Sequence, residues 1–417
     1  MSAIQRLNRE AVRRRLAGLL AALSAAMAAP CAAQQPGTGR PAAGMRAYPT
    51  PYYVIYTDLG PEKVREAAAR MTCMGLEYQK RTSGFARHVR ERLPFYLFSK
   101  AEDYHAAGGP TGSAGVYMGN KLMAVAGARL SDNAWRVIQH EGFHQYVDRA
   151  ISRRIPVWVN EGMAEYFGHG VWTGDSYVVG VIPPGRLRSL KSLIKKGQIA
   201  PFLEMLEMSY KQWSSNLAGR NYAQAWAMVH FLAHADGERY QGAFNGFITD
   251  IAGGGIGWQD AFVRRFGRDV AGFEKRFCDW WASLPDNPTA DLYNGAVVLT
   301  LTSFLARAYG QGQRFEDVEE FFKAADEGKL KEDPRQWLPR ELLLGRLKEA
   351  RKLREWKLLN TKGVPTLQLA MPDGTTLTGA FRISPGSQVS VRVDVNRGRK
   401  PPEKDGPVSP TRPGESK

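Results

Sequence analysis

The sequence predicts an α+β fold in several parts. A small strand-and-helix lobe leads into a helix with two histidines, and a mainly helical lobe follows. A helical segment and a short β-rich module close the chain. Three observations carry this. Short apolar, β-branched or aromatic runs read as strands before residue 130 and again after residue 360. Between them the apolar residues recur at helical spacing. At Thr361 the period changes to strict alternation, in "TLQLAMPDGTTLTGAF" and "QVSVRVDV".

In the first lobe, Tyr52–Tyr56 reads as a strand, Glu62–Arg81 as a helix and "LPFYLF" (93–98) as a second strand. "AGVYMGNKLMAVAGA" (114–128) reads as strands around a turn at Gly119-Asn120. The next helix starts near Ser131-Asp132-Asn133, any of which can cap it. A further helix, "PVWVNEGMAEYFG" (156–168), enters through Pro156 and stops at Gly168. Leu187–Lys196, Pro201–Met208, Tyr222–Ala235 and Trp258–Phe266 are helical by the same reasoning, and residues 290–358 continue so. Pro372-Asp373-Gly374 marks a hairpin in the β-rich part.

The chain has 417 residues, 43% hydrophobic and 24% charged, room enough for more than one core. The N-terminus has the three-part layout of a secretory signal. Arg6–Arg15 holds five arginines against one glutamate, Leu16–Ala29 is apolar, and Cys31-Ala32-Ala33 suits cleavage after Ala33. That apolar run is short for a bilayer span, which takes about 20 residues. The expected organisation is therefore a signal peptide at 1–33 and a linker at 34–46. A main domain follows at 47–285, a helical segment at 286–358, a β-rich module at 359–395 and a disordered tail at 396–417. Such a leader implies a secreted or periplasmic protein with no transmembrane helix in the mature chain. The formal charge of +16 falls to about +12 without the leader. It is spread along the chain, which argues against nucleic acid as a partner and leaves contact with envelope polymers open. Cys73 and Cys278 remain after processing, and the sequence leaves their pairing undecided.

The chemistry concentrates in "VIQHEGFHQYV" (138–148). Side chains at i and i+4 lie on one helix face, so His140 and His144 can direct imidazole nitrogens at one ion. Glu141 is then placed to take a proton from water activated by that ion. Catalytic zinc needs a third protein ligand. Asp148 is a turn too far along the same helix, and His169 reads as a surface or loop residue. Glu161 is the candidate, 17 positions after His144 on a separate helix. Glu165 shares its face and can accept the second N–H of a ligating histidine, with Asn160 beside it.

"HEGFHQYV … PVWVNEGMAEYF" resembles the gluzincin peptidases, and within them the peptidase-MA-like group of bacterial secreted proteins. The resemblance spans about 50–285, with its specific part at 138–167. It implies a zincin-like domain, with Zn2+ held by His140, His144 and Glu161, Glu141 as general base and Glu165 in support. "RNYAQAWAMVHFLAH" (220–234) is similar to the segment from which aminopeptidase-like gluzincins supply an oxyanion-stabilising tyrosine. Tyr222 is the first choice and His230 the second. An alternative reading takes Tyr222, Trp226 and His230 as a helical core stripe. The resemblance also implies that a strand in "AGVYMGNKLMAV" pairs with extended substrate. The expected function is a zinc metallopeptidase acting on peptide or protein. Two alternatives stand beside it: a catalytically silent binding protein, which has no need of Glu141, and a zinc hydrolase of a non-peptide bond.

Overall fold

Alternation in "YVIYT" and the unbroken apolar run "LPFYLF" place two parallel strands at the centre of the first sheet. The computed structural model describes residues 44–397 apart from 128–129, 153, 215–217, 362 and 385–388. The expected leader, most of the linker and nearly all of the tail lie outside the described residues. The sheet contains β1 (Arg46–Pro49), β2 (Tyr53–Thr57), β3 (Leu93–Phe98), β4 (Gly115–Met118) and β5 (Lys121–Val125). Its order is β1-β2-β3-β5-β4. β2, β3 and β5 run parallel, and the edge strands β1 and β4 run antiparallel to their neighbours. Gly119 and Asn120 close the β4–β5 hairpin with φ of 57° and 74°, the two left-handed positions that a tight hairpin turn requires.

Helix α1 (Pro61–Thr82) crosses from β2 to β3, and α2 (Ala101–Ala106) follows β3. α3 (Asp132–Ala150) carries the histidine motif, and Ser131 Oγ caps it by accepting from the Ala134 N–H at 3.1 Å. α4 (Val157–Gly168) brings the second motif back against it. Both motif glycines sit at close approaches. A Cβ on Gly142 would meet Met74 Cε at 3.0 Å, and one on Gly162 would lie 2.5 Å from the Ala225 carbonyl oxygen.

The hairpin β6 (Val171–Trp172) and β7 (Tyr177–Val178) leads to the helical lobe. This lobe comprises α5 (Pro184–Lys195), α6 (Phe202–Glu207), α7 (Tyr210–Trp213), α8 (Ala218–Glu238), α9 (Gln241–Gly253), α10 (Trp258–Phe266) and α11 (Val270–Ser283). α8 leaves helical geometry at Ala235–Gly237, where Asp236 and Gly237 have positive φ. Three more helices follow: α12 (Ala290–Gly310), α13 (Val318–Asp326) and α14 (Arg340–Ala350). The chain then forms an antiparallel meander of β8 (Trp356–Thr361), β9 (Val364–Ala370), β10 (Thr375–Ile383) and β11 (Val389–Arg397).

The α+β class and the strand-rich C-terminal part are as the sequence predicts. Two expectations change. β8 begins at Trp356, inside the stretch read as helical to residue 358, because Trp356–Thr361 pairs along its length with Val364–Leu369. The boundary after residue 285 does not divide two cores. α12 is buried along most of its length, and Leu301, Phe304, Leu367 and Phe381 belong to the same buried cluster as Ile55 and Trp158. Arg307 reinforces that union with bonds of 2.7 and 3.0 Å to Asp175. Cys73 and Cys278 are both free thiols. No helix among the described residues is long and apolar enough to cross a membrane.

Candidate metal centre

α3 and α4 lie side by side and direct three donor atoms at one another. His140 Nε2 is 3.1 Å from His144 Nε2, and Glu161 Oε2 lies 3.3 Å from the first and 3.4 Å from the second. Tetrahedral bonds of about 2.0–2.1 Å separate their donors by about 3.3–3.4 Å, so this triangle has the size of a metal's ligand face.

The outer nitrogens explain which atoms point inward. His140 Nδ1 is 3.0 Å from Glu165 Oε1, and His144 Nδ1 is 3.0 Å from Asn160 Oδ1. Both partners are acceptors, so each ring donates from Nδ1 and presents the lone pair of Nε2. Glu161 Oε2 is buried and makes no hydrogen bond. Three lone pairs facing one another at this distance repel unless a proton or a cation stands among them. His140, His144 and Glu161 thus form a group that could hold a metal ion.

The cluster's electrostatics follow from that crowding. Burial is the largest influence on Glu161 and would raise its carboxyl, but the two imidazoles outweigh it and hold it down at about 2. Burial likewise opposes a charge on His140, but Glu161 and Glu165 raise the ring to about 10. The same carboxylates that favour positive charge on His140 would favour a cation held at its Nε2.

Glu141 faces outward from the ligand pair toward the sheet edge. Its Oε2 accepts the Tyr117 backbone N–H of β4 at 2.8 Å, and the Tyr117 hydroxyl donates to Asp148 at 2.6 Å. The edge strand therefore lies against the motif helix, and Asp148 is engaged away from the donor triangle. Tyr222, on α8, is half-buried with its ring 6.2 Å from that of His140 and 5.1 Å from that of Trp213. Burial foremost, then Glu161, raises its hydroxyl to about 12.

His230 is not brought to the centre. It lies eight residues beyond Tyr222, about 12 Å along an ideal helix. It is 2% exposed, packed against Trp226 and Trp281, and donates from Nε2 to the Gly180 carbonyl at 3.0 Å. Its part of the stripe is core. His169 stands in the turn that ends α4, as a loop residue, and its side chain is largely enclosed. Its ring faces Arg186 and Glu165, and burial foremost, then the Arg186 charge, lowers it to about 4.

Sequence reasoning missed two further residues. Arg186 of α5 donates to Glu165 from behind, holding that carboxyl well below the ordinary range together with His140 and against the effect of burial. The Tyr210 hydroxyl accepts from Asn160 Nδ2 at 3.3 Å while its side chain stands 60% exposed. Neither has a local signal, because each reaches the motif through tertiary packing. Residues 135–249, which contain all of these side chains except Tyr117 and Trp281, match a family described as "Protein of unknown function (DUF1570)". No curated protein and no solved structure matches the chain.

Proposed function

We propose that the chain is an exported, gluzincin-type zinc metallopeptidase that hydrolyses peptide bonds. The convergence of His140, His144 and Glu161 around a buried carboxylate oxygen without a hydrogen bond supports this reading most. Two imidazoles and one carboxylate suit zinc, and three protein ligands are the catalytic rather than the structural number. A bound zinc supplies Lewis acidity, polarising a substrate carbonyl and making water a stronger acid.

The chain's own residues supply the remaining functions. Glu141, half-buried and steadied by one N–H, takes the proton at a carboxylate oxygen and returns it to the departing amine. The Tyr222 hydroxyl donates to the oxygen on which negative charge grows. Asn160 and Glu165 hold the two imidazoles in the tautomer a metal requires. β4, tied to Glu141 through the Tyr117 N–H, is the strand beside which an extended peptide would lie. Export rests on the leader alone.

The test is turnover of a broad peptide library by the zinc-loaded protein, beside Glu141→Gln. Expected is hydrolysis by the wild type, reduced by at least about 100-fold in the variant, with zinc content unchanged. A folded, zinc-loaded wild type inert toward every peptide would overturn the peptidase reading and favour a binding protein.

A further inference from the structure

A buried guanidinium stands behind the metal centre. Arg186, in the first turn of α5, has its side chain 16% exposed. From Nη1 it donates to Glu165 Oε2, while the other oxygen of that carboxylate receives His140 Nδ1 at 3.0 Å. From Nη2 it donates to the Tyr222 carbonyl at 3.2 Å, and its plane lies over the Trp226 ring at 4.7 Å. One side chain thus holds Glu165 and the turn of α8 that carries Tyr222.

Charge gives this arrangement a purpose. A divalent ion together with Glu161, Glu165 and Glu141 leaves one negative charge in excess, and Arg186 cancels it. Without the guanidinium, Glu165 would lose the bond that fixes one carboxylate oxygen while the other faces His140.

We propose that Arg186 is a positioning residue of the metal centre, fixing His140 through Glu165 and anchoring the Tyr222 turn. The role rests on the metal half of the proposed function and not on peptide hydrolysis. Arginine suits it because the flat fork bonds two acceptors while stacking on an indole, whereas lysine offers one point charge.

The experiment is zinc affinity by chelator competition, with folding checked by near-ultraviolet circular dichroism. It compares the wild type, Arg186→Gln, Arg186→Lys, Glu165→Gln and the Arg186→Gln/Glu165→Gln double variant. Arg186→Gln should weaken zinc by about 10-fold or more, as loss of a ligand's supporting partner does. Arg186→Lys should recover part of that loss. The double variant should bind no more weakly than Glu165→Gln, since the two residues act in series. Wild-type affinity in Arg186→Gln, or losses that multiply in the double variant, would overturn the proposal. If Arg186→Gln does not fold, Arg186→Lys decides. It should weaken zinc several-fold in the wild-type background and not in Glu165→Gln, and an equal effect in both sinks the idea. A wild type that binds no zinc removes the metal reading and this role together. Tight binding indifferent to Arg186 removes only the role.

Discussion

His144 Nδ1 lies 3.0 Å from Asn160 Oδ1, one residue before the Glu161 that faces the same imidazole's other nitrogen. Adjacent residues of α4 thus face opposite edges of one ring: Asn160 accepts from Nδ1, and Glu161 would share a metal ion held at Nε2. Replacing Asn160 with alanine should weaken zinc by about 10-fold without unfolding the chain. Chelator competition measures this, and unchanged affinity would mean that the ring needs no such partner.

Tyr222 and His230 should separate cleanly in kinetics. Tyr222→Phe removes only the hydroxyl, and kcat should fall by about 100-fold or more with zinc retained. His230→Gln keeps a donor for the Gly180 carbonyl and should leave kcat within about threefold. Steady-state assays of the two variants decide it, and the opposite order would exchange the roles.

Buried neutral histidines make the fold acid-sensitive in a definable window. Burial, then the neighbouring His234, lowers His230 to about 3, and burial, then Arg81, lowers His234 to about 4. In the unfolded chain both titrate near 6.5, so below that pH the unfolded state binds more protons and stability falls. The loss begins near pH 6.5 and continues to about 4 for His234 and about 3 for His230. Between pH 6.5 and 5 it precedes the loss from Glu161, whose carboxyl titrates near 4.5 when unfolded and about 2 when folded. Urea unfolding over that interval should show stability falling with acid, with His230→Gln reducing the slope by up to about 1.4 kcal/mol per pH unit. A slope that ignores the substitution would contradict a buried neutral ring.

Gly162 allows α4 and α8 to touch. Its absent Cβ would sit 2.5 Å from the Ala225 carbonyl oxygen, a backbone atom that cannot swing away. Gly162→Ala should cost about 1–3 kcal/mol in chemical unfolding, as over-packing does. Because Glu161 is its neighbour, zinc affinity should fall as well. A variant as stable as the wild type would show that the helices separate freely.

Local pattern made the centre largely legible. The i, i+4 spacing fixed a common face for His140 and His144, and the second motif supplied Asn160, Glu161 and Glu165 together. The strand at 93–98 and the turn at 119–120 were readable because period and turn chemistry are properties of neighbours. Arg186 was not, since "GRLRSLKSLIK" holds several basic residues and nothing local tells which one points inward. Tyr222, Trp226, His230 and His234 recur at helical spacing, and spacing alone cannot say which end of that row meets the histidine cluster. The pairing of Trp356–Thr361 depends on a partner strand that the segment itself does not announce.

The continuity of α12 with the first lobe's interior has a consequence for any shortened form. A chain cut at Pro285 would present Leu301's and Phe304's former neighbours to water and leave Asp175 without its guanidinium. The histidine-bearing part and the terminal strands share one buried cluster, so they should unfold together. Grafting the strands onto another protein, or trimming them away, means finding a new cover for the face of α12 on which they lie.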